Sequence, residues 1–302
     1  MTLTIEQVVE QITDWKEKSV TVQPLSGGLT NKNYRVEVDG RLYVVRIPGT
    51  STELLAIDKI NEYHNTRATG DSGVGPTIAY YLPTSKIMIL DYIHGQTMTI
   101  SDLQAPTMPT RIAQSLKTLH NKTSRFKNDF NMFRLIEYYL KIVDKHQVNI
   151  PIGYHKYLQL VERIEASMQR HPLQTVPCHN DLLAENYIDD GSILRLIDFE
   201  YSGNNDPTFD LGNTCQEQQY DESRIIEMCE AYFGKPCLMD KLARMKLNMI
   251  MSDVGWTLWA AIQAKFSVIE FDFWSWAIER WSRATTKMDS SDFEQWLTDC
   301  SS

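Results

Sequence analysis

The sequence predicts an α+β chain of two lobes, a small antiparallel-sheet lobe followed by a larger, mostly helical one. Three observations carry this. Alternating apolar runs meet at Asp39-Gly40, apolar spacing turns helical after His94-Gly95, and a short β-rich island interrupts the helices at 187–201. A chain of 302 residues buries ample apolar surface in such an arrangement. The expected division is a lobe at 1–94 and a second at 95–302.

SVTVQPL (19–25) alternates and leads through the polar, glycine-rich SGGLTNK (26–32) into NYRVEVDGRLYVVRI (33–47). Asp-Gly between two alternating runs signals a hairpin, because it readily takes the positive φ angles of a type I′ turn. Three antiparallel strands are therefore expected, with the Gly-rich loop between the first two. Leu55, Ile57, Ile60 and Tyr63 fall near helical spacing and predict a helix from Thr52 to about Arg67, ended by GVGP (73–76). TIAYYL (77–82) and KIMILDYI (86–93) read as two further strands. Helical patterns then run from Ser101 to His171, from Ser223 to Phe233 and from Leu238 to Met288. Between them, YIDDGSILRLIDFEY (187–201) reads as a hairpin turning at Asp190-Gly191. This order is similar to the bilobal protein-kinase-like architecture, with a cleft between the lobes.

Composition narrows the function. The charge is −9, from 39 acidic and 30 basic residues, with no Lys/Arg run longer than two, so no nucleic-acid partner is expected. An acidic surface favours a cationic substrate, whereas an anionic one needs positive potential made locally. The five cysteines are odd in number, widely spaced and free of C-x-x-C, which points to reduced thiols and a cytoplasmic chain. The N-terminus lacks the apolar core of a signal peptide, and no apolar stretch is long enough to span a membrane, so no membrane partner is expected.

The chemistry concentrates in His179-Asn180-Asp181-Leu182-Leu183-Ala184-Glu185-Asn186 and in Leu196-Ile197-Asp198-Phe199-Glu200. Phosphoryl transfer needs a carboxylate to orient the acceptor and metal ions held against the phosphates. Asp181 meets the first need, and Asn186 offers a neutral oxygen ligand five residues on. Asp198, at the end of an apolar strand, can chelate Mg²⁺. Asp-x₄-Asn followed twelve residues later by Asp-Phe reproduces the spacing of kinase catalytic and metal loops. A polar turn and a hairpin with solvated acids is the bland alternative. It accounts for a lone His-x-Asp, not for the combined pattern downstream of a Gly-rich hairpin. In that hairpin, Ser26-Gly27-Gly28-Leu29-Thr30-Asn31, glycines let backbone N–H groups approach phosphate oxygens.

On three segments the chain resembles the choline/ethanolamine kinase family, within the aminoglycoside-phosphotransferase-like kinases, and its bacterial-type choline kinases in particular. They are LSGGLTNKNYRV (25–36) with YVVRIPG (43–49), HNDLLAEN…LIDFEYSGNNDPTFDLGN (179–213), and WTLWAAIQAKFSVIEF (256–271). The resemblance spans nearly the whole chain, and the third segment is the most specific to this family. It implies that ATP is the co-substrate, bound through Gly27, Gly28, Thr30 and Asn31, with Arg46 on the third strand against its phosphates. Glu62 is then the ion-pair partner of Arg46, although Asp58 lies one turn earlier and could take that role. Asp181 is the implied catalytic residue and Asn186, Asp198 and Glu200 the Mg²⁺ ligands. His179 is expected to orient the catalytic loop rather than act as base, and Asp210 to hold the loop backbone.

The acceptor is implied to be choline. A quaternary ammonium has no N–H to donate, so aromatic faces and nearby negative charge recognise it. Trp256 and Trp259 are three apart on one helix face, and Trp276 lies at the family position of a substrate-facing aromatic. Core packing is the competing reading for all three. Glu217 matches an acidic residue of the family's acceptor pocket. Leu183 departs from the pattern, standing where many animal choline kinases have glutamine. The reading is transfer of the γ-phosphate of ATP to choline, giving phosphocholine and ADP. The alternatives are an ethanolamine, other amino-alcohol, aminosugar or thiosugar kinase of the same fold. A non-catalytic kinase-like binding protein is disfavoured, because Asp181, Asn186 and Asp198 are all present. The resemblance leaves a homodimer open.

Overall fold

Alternation near the N-terminus becomes a five-stranded antiparallel sheet in the computed structural model, which describes residues 3–25, 28, 30–49 and 53–302. Strands β1 (Val20–Leu25), β2 (Asn31–Val38), β3 (Arg41–Pro48), β4 (Ile78–Leu82) and β5 (Ile87–Asp91) lie in the order β1-β2-β3-β5-β4. The turn between β2 and β3 has Asp39 at φ 49° and Gly40 at φ 84°, as Asp-Gly foretells. One face of the sheet buries Val36, Val45 and Ile89 against helix α1 (Ile5–Gln11) and Trp15. Sequence reading passed over α1, whose mark is the Thr4/Gln7 capping box. Arg46, between inward-facing Val45 and Ile47, points from the opposite face into the cleft and is 7% exposed.

The helix expected from Thr52 begins later, as α2 (Lys59–Asp71), with Asp58 as its N-cap accepting from the N–H groups of Ile60 (2.8 Å) and Asn61 (3.2 Å). Leu55 and Ile57 suggested an earlier start, but they lie in a turn and pack into the helical lobe's core with Met132 and Tyr139. Their spacing records docking between lobes, not helical periodicity.

The helical lobe comprises α3 (Ile100–Leu103), α4 (Met108–Lys122), α5 (Met132–His146), α6 (Tyr154–Arg170), α7 (Pro207–Glu217), α8 (Glu222–Phe233), α9 (Met239–Phe266), α10 (Phe273–Met288) and α11 (Phe293–Cys300). Short strands are inserted: β6 (Gln96–Thr97) pairs with β8 (Tyr187–Asp189), which pairs with β9 (Leu194–Leu196), while β7 (Val176–Cys178) pairs with β10 (Gly203–Asn205). In this lobe two helices escaped the sequence reading, α7 and α11. Every residue of α7 is buried, polar ones included, so it carries no amphipathic stripe; its signal is Asp206 as N-cap before Pro207. The long α9 runs through the lobe, contacting α5, α7, α10 and α11, and presents Trp256 and Trp259 to the cleft. Among the described residues no helix is long and apolar enough to cross a membrane. The five cysteines are unpaired.

Candidate active site

The segment after β7 is held from behind. Asp210 of α7 accepts the backbone N–H groups of His179 (2.8 Å) and Asn180 (2.7 Å), and lies 3.0 Å from His120 Nε2. His179 Nε2 lies 2.8 Å from the Ile197 carbonyl and must carry the proton there, leaving Nδ1 to accept the Asp181 N–H at 3.3 Å. Burial lowers the His179 pKa. The ring is thus neutral with both nitrogens engaged, which suits it to orienting the loop and leaves no nitrogen free for a substrate proton. Asn180 and Asp198 take left-handed backbone conformations (φ 69° and 68°) that non-glycine residues rarely adopt.

Asp181, Asn186, Asp198 and Glu200 line one cleft of about 520 Å³ between the lobes. Asn186 donates through Nδ2 to the Asp181 carbonyl at 2.8 Å, so its Oδ1 is the atom it can offer a cation. Carboxylate oxygens of Glu62, Asp198 and Glu200 lie within 4.8 Å of one another. That cluster of hard oxygen donors suits Mg²⁺. Burial opposes ionisation of Asp198, but the guanidinium of Arg46 outweighs it and lowers the pKa. Glu200 is raised by burial and by Asp198. Asp181 is raised well above the ordinary carboxylate range by burial, then by Glu200, Asp198 and Glu217. Positive charge brought into the cleft would reverse these last effects.

Arg46 reaches Glu62 at 3.1 Å and also bonds Asp198; Asp58 is occupied as the α2 cap, which decides between the two candidates. Arg46 Nε is buried with no hydrogen-bond partner among the described residues, a donor suited to an anionic oxygen. Gly28 (φ 91°) and Thr30 border the cleft, and the Thr30 hydroxyl and Asn31 amide both donate to Glu200 (2.8 and 3.1 Å). Gly27 lies outside the described residues. At the base of this hairpin a Cβ on Gly49 would collide with the Thr30 carbonyl oxygen. Gly49→Ala should therefore displace Thr30 and raise the KM for ATP severalfold, a change steady-state kinetics would register.

The other end of the cleft is aromatic. Trp256 and Trp259 meet edge to face with centroids 6.5 Å apart, and Trp259 meets Trp276 at 5.6 Å. Tyr201 and Phe271 complete the wall, and Trp259 Nε1 donates to the Tyr201 hydroxyl at 2.7 Å. Trp256 and Trp259 also belong to the lobe's core, so wall and packing coincide in them. Glu217 lines the cleft, but the expected free negative charge is not there. Arg280 grips both of its oxygens, one at 2.8 Å, and stacks over the Trp276 ring at 3.9 Å. Asp253 and Arg283 extend the network, and burial pushes the Asp253 pKa up to about 6. Arg280 and Lys59 were missed by the sequence reading, since a single basic residue on a helix carries no signal of burial. Leu183 lines the cleft where a polar side chain was noted as missing.

The choline/ethanolamine kinase family matches residues 22–233 of the chain. A choline/ethanolamine kinase family protein from Mesorhizobium loti is similar in structure, with a TM-score of 0.86, 30% identity, and coverage of 97% of this chain and 96% of that one. The choline kinase LicA from Streptococcus pneumoniae superposes with a TM-score of 0.76 at 25% identity, covering 94% of this chain and 98% of that one. Ethanolamine kinase 2 of Rattus norvegicus is 27% identical over 298 residues, 89% of this chain and 76% of the relative. Relatives of both substrate names thus lie at similar distance.

Proposed function

The chain belongs to the choline/ethanolamine kinase family, and on that premise we propose that it transfers the γ-phosphate of ATP to the hydroxyl of choline. One observation carries the reading: a single cleft joins the cluster of Asp181, Asn186, Asp198 and Glu200 to the aromatic wall of Trp256, Trp259 and Trp276. An amino alcohol lying along it puts its ammonium on the rings and its hydroxyl toward Asp181.

In this reading Asp181 orients the hydroxyl and accepts its proton in the ionised form, which positive charge brought into the loaded cleft favours over the neutral form that burial and the neighbouring carboxylates favour in the empty one. Arg46 grips phosphate oxygens, with Glu62 fixing its direction. Asp198, Asn186 and Glu200 would hold Mg²⁺, which when bound neutralises charge on the transferring phosphate. Gly28, Thr30 and Asn31 cover the phosphates, as Gly27 would.

Choline is favoured over ethanolamine by the scarcity of free acceptors around the rings. A primary ammonium desolvated there leaves N–H donors unpaired, at about 1–3 kcal/mol each. Glu217 is committed to Arg280, Asp181 and Glu200 lie at the chemical end, and Glu185, Gln219 and Glu279 are exposed. ADP release should therefore be fastest with choline in a panel including ethanolamine, aminosugars and methylthioribose. Faster release with ethanolamine would overturn the choline assignment and leave the family intact. Asp198→Ala and Asn186→Ala should both raise the Mg²⁺ concentration needed for half-maximal activity. Unchanged metal dependence in both would mean that the ligands lie elsewhere.

A further inference from the structure

Lys59 begins α2 and is 6% exposed, an unusual position for an ammonium group. Its Nζ lies 2.8 Å from Glu62 Oε2 and 3.2 Å from Glu200 Oε2, and donates to Asn31 Oδ1 at 2.9 Å. These partners come from three places: the helix that orients Arg46, the hairpin over the phosphate site, and the metal-binding turn of the other lobe. Burial disfavours the charge of Lys59, but Glu200 and Glu62 outweigh it and hold its pKa above the ordinary value. Charge counting gives the consequence. Glu62, Asp198 and Glu200 bring three negative charges into one cluster, and Arg46 with Lys59 returns two positive ones.

We propose that Lys59 is a positioning residue of the phosphate site, clipping the Gly-rich hairpin to Glu200 and competing with the divalent cation for that carboxylate. Two effects of opposite sign follow from one ammonium. It holds Asn31 and, through Glu200, Thr30 over the phosphates, so it favours nucleotide binding. It also sits on oxygens a divalent cation needs, so it weakens metal binding when no nucleotide is present. A residue that merely stabilised the fold would move both affinities in the same direction.

The inference rests on the phosphoryl-transfer reading for its first half, nucleotide binding, only, because metal binding is measured without nucleotide or acceptor. Lys59→Gln is one bond shorter but keeps an N–H donor for Asn31 while removing the charge. Mn²⁺ binding to the nucleotide-free full chain, followed by electron paramagnetic resonance, should tighten by about fivefold or more. The KM for ATP should rise by about tenfold with the KM for choline unchanged, and Lys59→Arg should keep the ATP value within about twofold of wild type. Unchanged or weaker Mn²⁺ binding in Lys59→Gln would overturn the proposal, as would an unchanged KM for ATP. If Lys59→Gln does not fold, Lys59→Arg decides: retention of the ATP value supports the clip, and a tenfold rise overturns it. Should wild type turn over no ATP, tighter Mn²⁺ binding would still support the charge competition while the kinase reading fell.

Discussion

Asp181→Asn is expected to lower turnover by about 10³-fold or more while the affinity for ATP stays near wild type. The side chain lines the cleft that also holds the aromatic wall and makes no ion pair with Arg46, which is engaged with Glu62 and Asp198, so its loss should remove the acceptor's partner and not the nucleotide's. A second readout separates chemistry from damage. The Asp181 carboxyl is raised by burial and by Glu200, Asp198 and Glu217, so the folded chain holds a proton that the unfolded chain releases near pH 4. Stability from the neutral form is complete below that ordinary value and is lost as pH rises through the native one. Asparagine cannot ionise and suffers no such loss. Without Mg²⁺, Asp181→Asn should melt above wild type at pH 8, with the gap closing toward pH 4. An inactive variant that melts lower would indicate damage to the loop.

Trp276→Leu is expected to raise the KM for choline by about tenfold or more and leave the KM for ATP unchanged, because a desolvated cation–π contact contributes ~2 kcal/mol. Trp276 is the cleanest of the three, being only partly buried, with one face already covered by Arg280. Trp256 and Trp259 are buried in the core, and Trp259 also supports Tyr201, so their leucine variants should lose both choline affinity and thermal stability. Glu217→Gln should act mainly by freeing Arg280, a buried guanidinium that would then lose its bidentate partner. It should therefore destabilise the fold as well as weaken choline. Melting temperature and both KM values on the same variants test these assignments. A Trp276→Leu variant with wild-type KM for choline would remove that ring from the site.

What was legible in the sequence had local causes. Asp39-Gly40 specifies its turn through its own backbone, and His179 to Asn186 with Asp198 is a spacing fixed by one loop and one hairpin. Arg46 was named through the family resemblance, and its place on β3 between Val45 and Ile47 gives it the face opposite theirs. What escaped depends on partners distant in sequence. Helix α7 is wrapped on all sides, so its polar residues are satisfied by neighbours such as Ser252, Asp253 and the backbone of Leu182 and leave no stripe to read. Leu55 and Ile57 mimicked helical spacing because another lobe receives them. Arg280 lies 63 residues beyond Glu217, and Lys59 141 residues before Glu200, separations no local pattern spans. The commitment of Glu217 to Arg280 is what changes the pocket's chemistry most, and it became visible only when α7 and α10 were brought together.

The most direct measurement of the central claim is a competition in one vessel: the chain, ATP, Mg²⁺, and choline and ethanolamine at equal concentration, with products resolved by phosphorus NMR. Phosphocholine should form in excess over phosphoethanolamine, the two together matching the ADP released, and Asp181→Asn should form neither. Phosphoethanolamine in excess, or ADP with inorganic phosphate alone, would contradict the account.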